Sequence, residues 1–265
     1  MDNTGRELIV QREGGVLFAT LDRPEKRNAL NQGMIEALDE LADDLETCAR
    51  TRILVIRGSK GVFCSGGDIS GFDKAGRPDR ARLIAGNKTF GLLLEKLDRL
   101  PQTVIAVAEG FVFGGGIGLI CVADFVLVEE TTRFSISETT LGVPPAQIAP
   151  YLVSKIGPGR ARRLALTAER FDGREATSLG LADRLATGNA ELETSVRQVI
   201  GRTLDCAPKA SRQSKLLIQS ATHWPRSSFA SHAATIFADS IMSEEGSEGA
   251  AAFLAKRKPS WAENP

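Results

Sequence analysis

The chain has 265 residues, with 33 Lys+Arg against 33 Asp+Glu, so it carries no formal net charge and has no global electrostatic pull toward nucleic acid or an anionic membrane. Apolar residues make up 42% and charged residues 25%, which excludes disorder and collagen-like repeats. No apolar run approaches the ~18 residues of a membrane span, and the length suits one large domain or one domain with an appendage.

In chain order, Met1 to Arg12 is polar and mixed in charge, without the basic cap and apolar stretch of a secretory signal. Glu7 to Val10 and Val16 to Leu21 alternate as two strands around Glu13-Gly14-Gly15, a hairpin signal. Asn31 reads as the N-cap of a helix with apolar positions Met34, Leu38, Leu41 and Leu45. Ile53 to Ile56, Val104 to Val107 and Phe125 to Val128 are short all-apolar runs, as in strands buried on both faces. Helices are expected near Arg80 to Leu100 and from about Gly115 to Val122. This strand–helix recurrence predicts βαβ crossovers and a largely parallel sheet.

After about Pro144 strand signals nearly vanish. Leu152 to Leu166, Glu191 to Cys206, Lys209 to Ala221, Phe229 to Met242 and Glu244 to Ala255 read as helices, punctuated at Gly157-Pro158-Gly159 and Ala207-Pro208. The expected organisation is an α/β core over residues 1–200 and a helical C-terminal region over 201–265. Cys48, Cys64, Cys121 and Cys206 are scattered, with neither disulfide nor zinc-site spacing, so a reducing cytoplasm and no metal are expected. Cys64 reads as a buried free thiol. His223, His232, Trp224 and Trp261 lie far in sequence from the glycine-rich loops and read as structural or solvent-facing.

Two glycine-rich loops follow buried strands: Phe63-Cys64-Ser65-Gly66-Gly67-Asp68, and Gly110 to Gly118 with its run Gly114-Gly115-Gly116-Ile117-Gly118. Neither has the spacing of a dinucleotide fingerprint, a P-loop or a nucleophile elbow. The second runs straight into a helix, so its free N–H groups lie at the positive end of a helix dipole, and two converging N–H donors are what an oxyanion hole requires. Glycines serving tight turns and close helix packing are the alternative.

Five pieces of sequence in order, the two glycine loops counted as one, resemble the enoyl-CoA hydratase/isomerase (crotonase) superfamily. They are Leu21-Asp22-Arg23-Pro24-Glu25-Lys26-Arg27-Asn28-Ala29-Leu30, the two glycine loops, Phe134 to Val143, Gly157 to Ala161, and Phe253 to Pro259. The resemblance implies the crotonase (ClpP-like) ββα superhelix with C-terminal helices that drive trimerisation, often paired into hexamers. It implies an acyl-CoA thioester as substrate, no cofactor, and no nucleic-acid or membrane partner. Gly67 and Gly115 would supply the oxyanion-hole N–H groups. Arg27, Ala29, Ser65, Asp68 and Ile69 would lie along the coenzyme A, with Phe253 and Lys256 added from the C-terminal helix.

The carboxylates decide the reaction. The family's hydratases use two glutamates twenty residues apart, and here the second position is Glu138 while the first is Gly118. Glu138 is thus the one matched acid/base group, and the space vacated at Gly118 is expected to hold part of the acyl chain. Asp73 and Glu109 are the other acids that could turn inward. The segments Leu141 to Pro150 and Thr167 to Gly173, with the Gly-Gly-Gly-x-Gly run, resemble bacterial hydratases of branched glutaconyl-CoA thioesters (methylglutaconyl and isohexenylglutaconyl types). Hydration of a branched enoyl-CoA is therefore expected. The alternatives are Δ3-Δ2 enoyl-CoA isomerisation and a catalytically weak binding or scaffold protein.

Overall fold

The computed structural model describes residues 7–70, 79–221 and 224–263. Strands β1 (Leu8–Glu13) and β2 (Val16–Leu21) form the predicted hairpin, with Glu13 opposite Val16 across a two-residue turn whose Gly14 takes φ 55°. Helix α1 (Gln32–Glu46) is capped by Asn31, whose side chain accepts from the Met34 N–H. The buried runs become β3 (Ile53–Gly58), β4 (Thr103–Ala108) and, after one short strand, β6 (Phe125–Glu129). With β8 (Arg184–Ala186) they form a six-stranded sheet in the order β1-β2-β3-β4-β6-β8, parallel everywhere except the hairpin.

Period-two alternation divides the sheet between two cores. Leu54, Ile56, Val104, Ala106, Val126 and Val128 face one side, packed with α1, with α2 (Arg80–Arg99) and with α3 (Gly115–Cys121). Ile53, Val55, Ile105, Val107 and Leu127 face the other, covered by Leu192, Val196 and Val199 of the later α6 (Asn189–Leu204). Covering both faces with helices is why these strands read as unbroken apolar runs rather than alternating ones.

One feature differs from the sequence reading. The second glycine-rich stretch is not all loop, because Phe111–Phe113 forms β5, paired in parallel with β7 (Arg133–Ser135) as a small second sheet. Helix α4 (Ala149–Thr167) contains the expected Leu152 to Leu166 helix, and the Gly157-Pro158 punctuation is a non-helical kink at Gly157 (φ 78°, ψ 158°). The kink leaves Pro158 at the start of a new helical half, where its missing N–H costs nothing. After α5 (Gly173–Leu179), β8 and α6, the chain is helical: α7 (Pro208–Ser220), α8 (Arg226–Met242) and α9 (Glu244–Leu254). Among the described residues no helix is long and apolar enough to cross a membrane.

Candidate active site

Three chain segments meet at the carboxyl end of β3 and β4. The Arg27–Leu30 turn joins the first glycine loop through a parallel bridge between Leu30 and Gly67. In it the Leu30 N–H donates to Gly66 O and the Asp68 N–H donates to Leu30 O, both at 2.8 Å, and the Ser65 N–H donates to Arg27 O at 3.0 Å. The first loop joins the second through the bridge between Cys64 and Val112, with the Phe113 N–H donating to Cys64 O at 3.0 Å. Ligands and active-site groups gather at this end of parallel sheets because helix N-termini and loops converge there.

The pairing leaves specific donors over. Neighbours on both sides of Gly67 are engaged, yet among the described residues its own N–H has no acceptor. At the other loop the Gly114 N–H donates to Ser135 O at 3.1 Å and the Ile117 N–H to Gly114 O at 2.8 Å, while Gly115, the first residue of α3, has no acceptor for its N–H among the described residues. A helix start leaves such N–H groups unpaired by construction and adds the positive end of its dipole. Gly66 touches the second loop directly: a Cβ there would lie 3.1 Å from Phe113 O and 3.6 Å from Gly114 Cα. The two free donors thus sit on abutting loops.

Glu138 faces them. It lies in a single 3₁₀ turn, Ser137–Leu141, pinned by the Thr139 hydroxyl donating to Ala165 O at 2.9 Å and closed by Gly142 at φ 77°. Its carboxylate comes within 3.2 Å of where a Cβ on Gly114 would stand, and Gly114 has φ 48°. Glycine here answers both demands, a left-handed backbone and close approach of the carboxylate. Glu138 Oε2 is buried and has no hydrogen-bond partner among the described residues. Burial raises its pKa above the ordinary carboxylate value, opposed in part by a local backbone hydrogen bond.

The surroundings of Gly118 correct one expectation. The space at Gly118 does not belong to a substrate, because a Cβ there would stand 2.6 Å from Ile148 Cγ2 and 3.2 Å from Leu94 Cδ1. Ile148 and Leu94 are both buried in the main core. Hydrocarbon from the loop before α4 and from α2 therefore crowds the place where any side chain at this position would begin. Ile148 is the residue that sequence reading missed; nothing in the sequence couples it to a glycine thirty positions away. Glu109 does not turn inward either, since its carboxylate pairs with Arg57 Nη2 at 3.1 Å. Asp73 lies outside the described residues.

The remaining expected residues divide. Ala29, Ser65 and Asp68 lie in the same loop cluster, Ser65 Oγ donating to Lys26 O at 3.2 Å. The Asp68 carboxylate is already engaged, accepting from Arg23 Nη2 at 3.0 Å and from Ser70. The Arg27 guanidinium stands 5.8 Å from the Phe111 ring centroid, and Ile69 is exposed beside the cluster. Phe253 and Lys256, by contrast, end α9 with exposed side chains, and within the subunit no described contact joins them to the loops. Cys64 is a buried thiol pushed up to about 12 by burial, and its sulfur accepts from the Gly66 N–H at 3.4 Å. The rings of Trp224 and His232 lie 4.8 Å apart, and Trp261 Nε1 donates to Asp205 O at 3.2 Å. His223 lies outside the described residues.

Comparison with known proteins agrees with this geometry. The sequence profile of the enoyl-CoA hydratase/isomerase family matches residues 11–264. The short-chain-enoyl-CoA hydratase of Clostridium acetobutylicum is 26% identical over 254 residues, covering 95% of each chain. The 2,3-dehydroadipyl-CoA hydratase of Escherichia coli is 29% identical over 263 residues, covering 96% of this chain and 98% of that one. Among solved structures, Pseudomonas aeruginosa AtuE superposes with a TM-score of 0.94 at 40% identity, over 97% of this chain and 99% of its own. An enoyl-CoA hydratase/isomerase from Marinobacter aquaeolei gives 0.92 at 38% identity, over 97% and 99%. With its crotonase-type α/β fold, the chain belongs to the enoyl-CoA hydratase/isomerase family.

Proposed function

We propose that this protein adds water across the α,β double bond of an acyl-CoA thioester, with Glu138 as its single acid/base group and the Gly67 and Gly115 N–H groups as oxyanion donors. The observation that carries the reading is the contrast between the two carboxylate positions: the buried, unpartnered Glu138 carboxylate stands against Gly114, while Ile148 and Leu94 crowd the space at Gly118. The ionised Glu138 takes a proton from water as the water oxygen bonds to the β-carbon. The π electrons move onto the thioester oxygen, where the two N–H groups hold the charge. Glu138, now protonated, returns the proton to the α-carbon as the enolate collapses. Burial suits it to both roles, because a raised pKa makes the carboxylate a better base and brings the acid closer to working pH. Removing one oxyanion donor in a well-studied enzyme costs about 3–4 kcal/mol of barrier.

The acyl group we assign is branched and glutaconyl-like, supported by the resemblance in Leu141 to Pro150 and Thr167 to Gly173. Coenzyme A would run along Arg27, Ala29, Ser65, Asp68 and Ile69. Phe253 and Lys256 would reach it from a neighbouring subunit of a trimer or hexamer. Self-association through residues 201–265 is supported by α8, which buries no residue within the subunit and leaves Phe237, Ile241 and Met242 exposed, as α9 leaves Phe253 and Leu254. The four free cysteines fit a reducing cytoplasm.

A single carboxylate also suits isomerisation, in which Glu138 would carry a proton between C4 and C2 of the same enolate. Incubation with a branched glutaconyl-CoA and with crotonyl-CoA, followed by mass analysis, separates the readings. Hydration adds one water to the product and is expected to favour the branched ester. A product of unchanged mass from a β,γ-unsaturated ester, with no hydration of either α,β-ester, would overturn hydration in favour of isomerisation.

A further inference from the structure

The Gly67 donor sits in a loop, so its direction depends on what holds the loop. On one side is Leu30, paired to Gly66 and Asp68; on the other is the Asp68 side chain. Arg23 reaches both. Its Nη1 donates to Ala29 O at 2.7 Å and its Nη2 to Asp68 Oδ2 at 3.0 Å, while Nε stands 2.7 Å from Glu7 Oε1. Glu7 Oε1 also accepts from Asn31 Nδ2 at 2.9 Å, which ties the cluster to the start of α1. The Arg23 N–H donates to Asn28 Oδ1 at 2.9 Å, which fixes the turn where Arg27 and Asn28 take φ 51° and 55°. Arg23 is only 8% exposed, so these contacts are shielded from water.

We propose that Arg23 is a positioning residue for the Gly67 N–H. Its planar fork sets the distance between the Ala29 carbonyl and the Asp68 carboxylate, and so the direction of the donor that lies between Leu30 and Asp68. The inference rests on the oxyanion reading given above. A lysine keeps the charge, but its donors radiate from one nitrogen and cannot hold two acceptors on separate segments in one plane. Small displacements of a catalytic donor are costly, with misplacement by about 1 Å reaching ~10²-fold in rate.

The test compares wild type with Arg23→Lys and Asp68→Ala, each checked for native circular dichroism. Three quantities are read: kcat, KM, and the absorption band of a bound conjugated dienoyl-CoA, which moves to longer wavelength as N–H groups draw electron density onto the carbonyl oxygen. Both variants are expected to lose between about 10- and 100-fold in kcat and to show a smaller band shift, and Arg23→Lys, which leaves every coenzyme A contact in place, to keep KM within about threefold. If Arg23→Lys does not fold, Asp68→Ala carries the test, because it removes one end of the fork and leaves Arg23 paired to Glu7. A folded variant with wild-type kcat and the full band shift would overturn the positioning role alone. A wild type that neither binds nor shifts the dienoyl-CoA would remove the oxyanion reading, and this inference with it.

Discussion

Gly118→Ala is the smallest perturbation that probes whether protein or ligand fills the second carboxylate position. The added Cβ would stand 2.6 Å from Ile148 Cγ2, against an optimum of ~3.5–4.0 Å between carbons. Gly118 and Ile148 are both buried, so relief requires Ile148 to leave its place in the core. Overpacking of this kind costs about 1–3 kcal/mol. Replacing glycine by alanine within a helix returns about 1 kcal/mol, so the net is about 0–2 kcal/mol of destabilisation. In an Ile148→Ala background Cγ2 is gone, and the same alanine should stabilise by up to about 1 kcal/mol. The two substitutions are therefore coupled by about 1–3 kcal/mol. Equilibrium urea unfolding of the four proteins, at fixed protein concentration, measures that coupling. Additivity within about 0.5 kcal/mol would mean that Ile148 does not fill the space, and the reasoning about a single acid/base group would lose its structural basis.

Gly115→Pro deletes one proposed oxyanion donor at the first residue of α3, a position that suits proline; kcat for enoyl-CoA hydration is expected to fall about 10²–10³-fold, with circular dichroism unchanged. Glu138→Gln should raise the melting temperature at neutral pH. The folded-state pKa of Glu138 is raised by burial, so the stability it contributes is present below its unfolded pKa and is lost as pH rises through the folded value. The gap between variant and wild type should then close as pH falls below the ordinary carboxylate range, and a scanning-calorimetry series over pH checks it.

The sheet was legible because β3, β4 and β6 bury both faces, and this demands apolar runs that composition cannot hide. The helix starts at Asn31 and Asp79 carry side-chain caps, a local signal. β5 and β7 were not legible as strands. Each has three residues, and Phe111-Val112-Phe113 sits inside a glycine frame that reads as loop. At the site, glycine spacing and the Glu138 motif carried the chemistry, since each depends on residue types within a short stretch. What Gly118 faces could not be read. Ile148 and Leu94 reach it from two other elements, and a contact across the core leaves no pattern in one sequence. Arg23 was visible as part of a motif, but its grip on Ala29, Asp68 and Glu7 emerges only from the fold.

In the proposed mechanism Glu138 alone moves the protons. That role is tested most directly by kcat/KM for hydration of an accepted enoyl-CoA, measured across pH for wild type and Glu138→Gln. Wild-type activity is expected to fall on the acid side through a single ionisation, with a midpoint above the ordinary carboxylate range because burial raises that pKa. Glu138→Gln should still bind acyl-CoA, turn over at least ~10²-fold more slowly, and lack that ionisation. A variant that keeps wild-type turnover, or the same acid limb, would contradict the account and place the proton chemistry on another group.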